Sequence, residues 1–256
     1  MHVKELFDLT GKVAIVTGGG RGLGQQIAIA FAEAGAHVVV CSRNIEACQE
    51  VSGNLEKLGV RSLALACDVT DQESVKSVVK HTMETFGRID ILVNNSGASW
   101  GMSVEEMPLQ AWEKVMKVNV TGTFLMSQEV GKVMLEQGGG KIINIASVAG
   151  LKGSSTEELN AIGYSTSKGA VITFTKDLAV KWGAHGIQVN AIAPGFFPTK
   201  MSKGVLEMNG EKILMGTPLG KFGSENDLKG AAVFLAAPAS DYITGVILAV
   251  DGGMTA

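Results

Sequence analysis

Aromatic residues are scarce in this chain, at 5% of 256 positions, and there are only five prolines. Cysteine is scarcer still. Cys41, Cys48 and Cys67 form no CxxC pair, and an odd number of thiols argues against a disulfide framework. They read as free thiols in a reducing compartment. His2, His37, His81 and His185 show no metal-ligand spacing, so no structural or catalytic zinc is expected. No apolar run reaches the ~18–20 residues of a membrane helix. The opening stretch MHVKELFDLTGK carries acids and lacks the apolar core of a signal peptide. Positive charge is not in excess either. The net charge of −3 offers a nucleic acid little to hold. These absences lead to the expectation of a soluble, cytoplasmic protein.

What is present is a regular alternation. KVAIVTG (12–18) is a short β-branched run ending in glycine, hence a buried strand. Residues 22–34 then place Leu23, Ile27, Ala30, Phe31 and Ala34 at helical spacing, with Gly35 as the stop. HVVVCS (37–42), SLALACDV (62–69), IDILVNN (89–95), KIINIAS (141–147), IQVNAIA (187–193) and VILAVDG (246–252) repeat the strand pattern. Helices are expected over 44–59, 71–87, about 109–136, about 163–182 and near 225–236. Strands alternating with long helices mean βαβ units and a parallel sheet covered on both faces. No Pro- or Ser-rich linker interrupts the chain. The expectation is one doubly wound α/β domain of Rossmann type over residues 1–256, with about seven strands.

Between the first strand and the first helix stands TGGGRGLG (17–24). Gly18, Gly22 and Gly24, with Leu23 between the last two, let the backbone turn sharply and approach a pyrophosphate at the helix N-terminus. The context of strand before and helix after is what such a motif requires. The second strand ends in CSRN. Where an NAD site favours an acid about 20 residues on, this chain has Ser42 and then Arg43, 19 residues beyond Gly24. A guanidinium there suits a 2′-phosphate, with Arg21 as a second partner. NADP(H) is therefore expected over NAD(H).

Several further motifs follow in order: DV (68–69), NNSG (94–97), VNVTG (118–122), NIAS (144–147), YSTSK (164–168), VNAIAPG (189–195) with Thr199, and DGG (251–253). Together with the glycine loop they make the chain resemble the short-chain dehydrogenase/reductase family over essentially its whole length. The resemblance implies roles. Tyr164 would be the general acid or base, tuned by Lys168 one helical turn away, since a nearby cation favours phenolate. Lys168 would also bond the nicotinamide ribose. Ser147 would orient the substrate carbonyl, and Asn119 would hold a kink and a proton-relay water. Asn95 would contact adenosine, Asp68 adenine, and Val69 would pack on it. Gly97 would belong to the same cofactor wall. The backbone from Pro194 and Gly195 to Phe197, and the Thr199 hydroxyl, would hold the nicotinamide amide. No metal is implied, because the cofactor carries the hydride.

Two departures from the family pattern stand out. Ser96 replaces the usual alanine of NNAG, and residues 151–163 lengthen the span from Ser147 to Tyr164. Residues 196–217 read as a lid, with Met201, Val205, Leu206, Met208, Ile213 and Leu214 as its apolar face. Lys200, Lys203 and Lys212 suit an anionic carrier, and Trp100 suits the pocket mouth. The resemblance points to a 3-oxoacyl thioester reductase, acting on acyl-carrier-protein or CoA esters. The alternative is a gluconate 5-dehydrogenase-like enzyme of sugar acids or polyols. Another ketone or secondary alcohol, or a non-catalytic NADP-binding sensor or scaffold, stands behind these. A homotetramer is implied through the two long helices.

Overall fold

The β-branched runs become the seven strands of one parallel sheet, in a computed structural model that describes residues 2–256. The strands are β1 (Val13–Thr17), β2 (His37–Ser42), β3 (Ser62–Ala66), β4 (Ile91–Asn94), β5 (Gly140–Ile145), β6 (Ile187–Pro194) and β7 (Ile247–Val250). Their order is β3-β2-β1-β4-β5-β6-β7. The order reverses between β1 and β4. In an open parallel sheet that reversal opens a crevice at the strands' carboxyl ends, where ligands bind.

The helices are α1 (Gly22–Glu33), α2 (Ile45–Glu56), α3 (Gln72–Phe86), α4 (Leu109–Met116), α5 (Gly122–Gln137), α6 (Ile162–Trp182), α7 (Lys203–Met215) and α8 (Lys229–Ala236). Strand side chains alternate between two cores. Ala14 and Val16 pack with Ile27 and Phe31 of α1, Val51 and Leu55 of α2, and Leu235 of α8. Ile15 packs on the other face with Val75 and Val78 of α3, Met126 and Val130 of α5, and Leu178 of α6. β1 is buried throughout, while the edge strands β3 and β7 are only half-buried. The three thiols, Cys41, Cys48 and Cys67, are free and buried. No helix among the described residues is long and apolar enough to cross a membrane.

The structure corrects three sequence-based boundaries. The helix expected over 109–136 is not continuous. A wide π turn, Lys117–Thr121, separates α4 from α5, and the Gly122 N–H reaches back to the Lys117 carbonyl. The helix expected near 225–236 begins only at Lys229. Asp227 ties up the Ser224 N–H and hydroxyl and the Lys221 ammonium, which stabilises a turn there instead. The segment 196–217 contains α7, whose only fully buried side chain is Ile213.

Candidate active site

The crevice is lined first by the glycine loop. Gly18 and Gly22 have φ of +63° and +57°, a region L side chains rarely adopt. Gly24 has no room for a side chain: its Cβ would lie 2.4 Å from the Asn95 Nδ2 and from the Gly18 carbonyl oxygen. Two further glycines matter that motif reading passed over. A Cβ on Gly19 would stand 2.8 Å from Val40, and one on Gly20 3.1 Å from Ala47. Behind the loop, α1 starts at Arg21 without a capping side chain and without an acid in its first turn. Such a helix end offers N–H groups and partial positive charge to an anion.

Asn95 does more than line this wall. Its Nδ2 donates to the Thr17 and Gly18 carbonyls at 2.9 and 3.2 Å, and its N–H donates to Thr17 Oγ1 at 3.0 Å. It therefore bolts the glycine loop to the end of β4. Arg43 is exposed at the end of β2. Ser42 stands beside it, but its hydroxyl is engaged in the turn with Asn44. Asp68 is held below its usual pKa, chiefly by the Thr70 N–H, with the Arg43 and Lys117 charges adding. Arg43, Asp68, Thr70, Lys117 and Val118 border one cavity of about 320 Å³. Lys117 in this wall was not singled out in the sequence. Val69 is buried against the start of α5, where a Gly122 Cβ would sit 2.6 Å from it.

The catalytic candidates converge next to this wall. Tyr164 and Lys168 lie on α6, with the Lys168 Nζ 5.6 Å from the phenol ring centre. Ser147 follows β5 and caps a short 3₁₀ turn, its Oγ accepting from the Ala149 N–H. Burial pushes the Tyr164 phenol above its ordinary value, and the neighbouring Ser147 side chain works the other way. Burial pulls Lys168 down to about 8. Its Nζ donates to the Ile145 carbonyl at 2.6 Å. The expected lowering of the phenol by the lysine charge is thus not present here: burial dominates, and the ammonium faces a backbone carbonyl. Asn119 sits in the π turn, as a kink required. Its Oδ1 accepts from Ala98 N–H at 2.7 Å, and its Nδ2 donates to Ala98 O and to Ser167 Oγ. Ser167 in turn donates to the Tyr164 carbonyl. That serine, inside YSTSK, is a link the motif reading treated as filler. A Cβ on Gly97 would lie 3.5 Å from Asn119 Oδ1 and 3.9 Å from Lys168 Nζ, so Gly97 joins the same cluster.

The far wall is formed after β6. Pro194 ends that strand, and Gly195 packs so closely on Asp251 that a Cβ would come within 2.8 Å. Phe197 turns its ring into the core, leaving its backbone at the crevice. Thr199 stands near Gly22, 3.6 Å from where that residue's Cβ would be, and shares hydrogen bonds with Ser202 ahead of α7. Among the described residues no three His, Cys, Asp and Glu side chains gather as a metal site would need.

Comparison with known proteins finds relatives along essentially the whole chain. The family described as enoyl-(acyl carrier protein) reductase matches residues 18–255. Gluconate 5-dehydrogenase of Gluconobacter oxydans is 38% identical over 257 residues, spanning 100% of this chain and 99% of the relative. The 3-oxoacyl-(acyl-carrier-protein) reductase of Synechocystis sp. is 40% identical over 248 residues, spanning 96% and 98%. The crystal structure of a gluconate 5-dehydrogenase from Burkholderia cenocepacia, in complex with NADP and tartrate, superposes with a TM-score of 0.94 at 35% identity and covers 99% of each chain. The chain belongs to the short-chain dehydrogenase/reductase family. It is an oxidoreductase acting on CH–OH groups.

In this short-chain dehydrogenase/reductase the segment expected to form the substrate rim is an exposed loop. Residues 151–158 are exposed, and the loop is tied at three places. Met102 pairs with Ala161 in a β-bridge, and its N–H donates to the Asn160 carbonyl at 2.9 Å. Lys152 Nζ donates to the Met254 carbonyl at 3.0 Å. Glu157 forms an ion pair with Lys212 of α7. The apolar face expected for the lid is only partly present. Ile213 is buried and Val205, Leu206 and Leu214 half-buried, but Met201 and Met208 are 53% and 76% exposed. Trp100 is also partly exposed, with Lys114 Nζ 5.8 Å from its ring centre.

Proposed function

We propose that the protein is an NADP(H)-dependent oxidoreductase that interconverts a secondary alcohol and a ketone on a small, hydroxylated substrate, a sugar acid or polyol. The observation that carries the reaction class is the gathering of Ser147, Tyr164 and Lys168, the last two one turn apart on α6, beside the glycine loop. NADP(H) supplies or takes the hydride when bound. The loop fits its pyrophosphate, since the positions with no room for a Cβ line a path to the uncapped end of α1. Arg43 and Arg21 supply the charge for a 2′-phosphate. Asp68 and Val69 meet the adenine, with Lys117 beside them. Gly97, Pro194, Gly195, the Phe197 backbone and Thr199 wall the nicotinamide end.

Ser147 holds the substrate oxygen by donating to the developing alkoxide. Tyr164 gives that oxygen its proton in reduction and removes it in oxidation. Lys168 brings an ammonium to the phenol's end of the site, and Asn119 holds the loop at Ala98 and the Tyr164 helix together through Ser167.

The choice of substrate class rests on the rim. A carrier-borne acyl chain asks for a basic docking face and an apolar lid. Of the three lysines expected there, Lys203 pairs with Glu207 and Lys212 with Glu157. The lid methionines Met201, Met208 and Met215 face solvent. The loop between is polar: Ser154, Ser155, Thr156, Glu157, Glu158 and Asn160. The full-length gluconate 5-dehydrogenase relative points the same way. The 3-oxoacyl thioester remains the second reading, supported by the relative from Synechocystis and by the half-buried Val205 and Leu206.

NADP⁺ reduction with gluconate, run beside NADPH oxidation with acetoacetyl-CoA, tests both, in wild type and Tyr164→Phe. Turnover of gluconate that falls at least ~10³-fold in the mutant is expected. Thioester turnover alone would reverse the order of the two readings, and unchanged turnover in the mutant would remove Tyr164 from catalysis. The same preparation reports assembly by light scattering. A tetramer is proposed, because Phe124 and Leu135 of α5 and Val180 of α6 are exposed, and β7 is an unpaired edge. A monomer at micromolar concentration would overturn that part.

A further inference from the structure

One layer beneath the catalytic groups runs a row of polar side chains that the chemistry above does not use. Asn94 Nδ2 donates to Ser127 Oγ at 2.9 Å and to Asn144 Oδ1 at 2.8 Å. Asn144 Nδ2 donates to Thr175 Oγ1 at 2.9 Å, and Thr175 donates to the Val171 carbonyl at 2.8 Å. Asn144 and Thr175 have no exposure at all, and Ser127 and Asn94 have 1% and 5%. The row crosses α5, β4, β5 and α6, with Asn94 and Asn144 as register partners. Its surroundings on this face are hydrocarbon, including Met126, Val130, Ile142 and Leu178. Hydrocarbon of the same volume would pack there without needing partners, and the row is not even complete, since the buried Asn94 Oδ1 has none. Fold stability alone does not account for it.

Its position does. Asn144 immediately precedes Ile145, whose carbonyl holds the Lys168 ammonium. Thr175 lies two helical turns beyond Lys168 along α6. The Asn144–Thr175 bond therefore gives β5 and α6 a second tie, from the residue next to Ile145 on the strand to a point two turns along the helix from Lys168. Two ties between one strand and one helix fix their separation and their sliding, where a single tie leaves a pivot. We propose that Asn144 and Thr175 are positioning residues whose hydrogen bond sets the place of the Lys168 ammonium in the active site. This rests on the proposed role of Lys168. The groups around that ammonium are few. Tyr164 faces it from its own helix. β5 presents the Ile145 carbonyl, and the loop at 95–98 presents Gly97 with Asn119 of the π turn beside it, none of them charged; the 3₁₀ turn after Ser147 packs Gly150 on the Lys168 backbone instead.

The test needs no substrate. Lys168 titrates near 8, well below an ordinary lysine, so its side-chain signal is separable by NMR of the lysine-labelled protein. Thr175→Val keeps the volume and removes the acceptor. The Lys168 midpoint is expected to fall by half a unit or more, because a displaced carbonyl leaves a buried ammonium with less support. Thr175→Ser should restore it. Ser127→Ala cuts the same row at its far end, and should lower the melting temperature without moving the Lys168 midpoint. Should Thr175→Val fail to fold, Thr175→Cys, of similar size and a poor acceptor, carries the same reading. A midpoint that stays at its wild-type value in Thr175→Val or Thr175→Cys, with only the melting temperature lowered, overturns the proposal. That failure is distinct from failure of the catalytic reading, which would appear as turnover surviving Tyr164→Phe.

Discussion

The two ends of the crevice are built by different means. The cofactor end is shaped by backbone: glycines with no room for a Cβ, an uncapped helix start, and Asn95 clamped onto two carbonyls. The substrate rim is made of exposed side chains joined by a β-bridge, one lysine–carbonyl bond and one ion pair. Backbone shape admits few alternatives, so the first end specifies a class of cofactor. Exposed side chains are exchanged at little energetic cost, so the second end is where substrates diverge. Relatives with both sugar-acid and acyl-thioester names match this one chain at nearly equal identity, as such a division of labour would produce.

The comparison can be broken at several strengths. The largest effect is expected at Arg43. Arg43→Asp removes a charge-assisted pair and adds repulsion, so the ratio of kcat/KM for NADPH over NADH should fall by about 100-fold. An unchanged ratio would mean that the cofactor end does not select through this side chain.

A middle-sized effect concerns the buried lysine Lys168 and stability. Lys168 titrates near 8 in the fold against 10.5 ordinarily. Below pH 8 both folded and unfolded chains hold the proton, and the fold bears the full penalty of the buried charge. Between 8 and 10.5 the unfolded chain binds the proton and the native one does not, so stability rises with pH. Lys168→Met should therefore raise unfolding stability by about 2 kcal/mol at pH 7, with the gain shrinking as pH climbs past 8. Urea titrations at pH 7 and pH 9.5 measure it. Equal gains at both, or a loss at pH 7, would contradict the assignment of burial as the cause.

The smallest effect belongs to the rim. Both partners of the Glu157–Lys212 pair are exposed, and such pairs contribute little to stability. Glu157→Lys should leave the melting temperature within a degree or two and change KM for the substrate only a few-fold. Adding Lys212→Glu should return KM towards wild type. A collapse of stability in the single variant would place the rim with the rigid end and erase the contrast.

The same contrast explains what could be read from sequence. Gly18, Gly22 and Gly24 left a trace because no other residue meets the φ values and the contacts there. Tyr164, Lys168, Ser147 and Asn119 were legible through ordered motifs, and the structure brings all four together. The kink at Asn119 was expected from the family motif, but apolar spacing runs through 109–136 whether or not one turn is widened, so periodicity alone hid the break into two helices. α7 was hidden because it buries a single side chain, which leaves weak periodicity. The Lys212–Glu157 pair joins residues 55 apart and has no local signature. Asn144 and Thr175 were invisible as a pair, since each reads alone as an ordinary strand or helix residue.

The π turn carries one more consequence. A helix with i→i+5 bonding takes up an extra residue in one turn while its two flanks stay seated. Here the flanks are α4, anchored by Ala111 and Val115, and α5, anchored by Met126, Val130 and Met134. The chain at 117–121 thus holds one residue more than the architecture requires. The extra residue swings Asn119 inward between Ala98 and Ser167, so the widened turn trades helical regularity for a side chain that reaches two other segments at once.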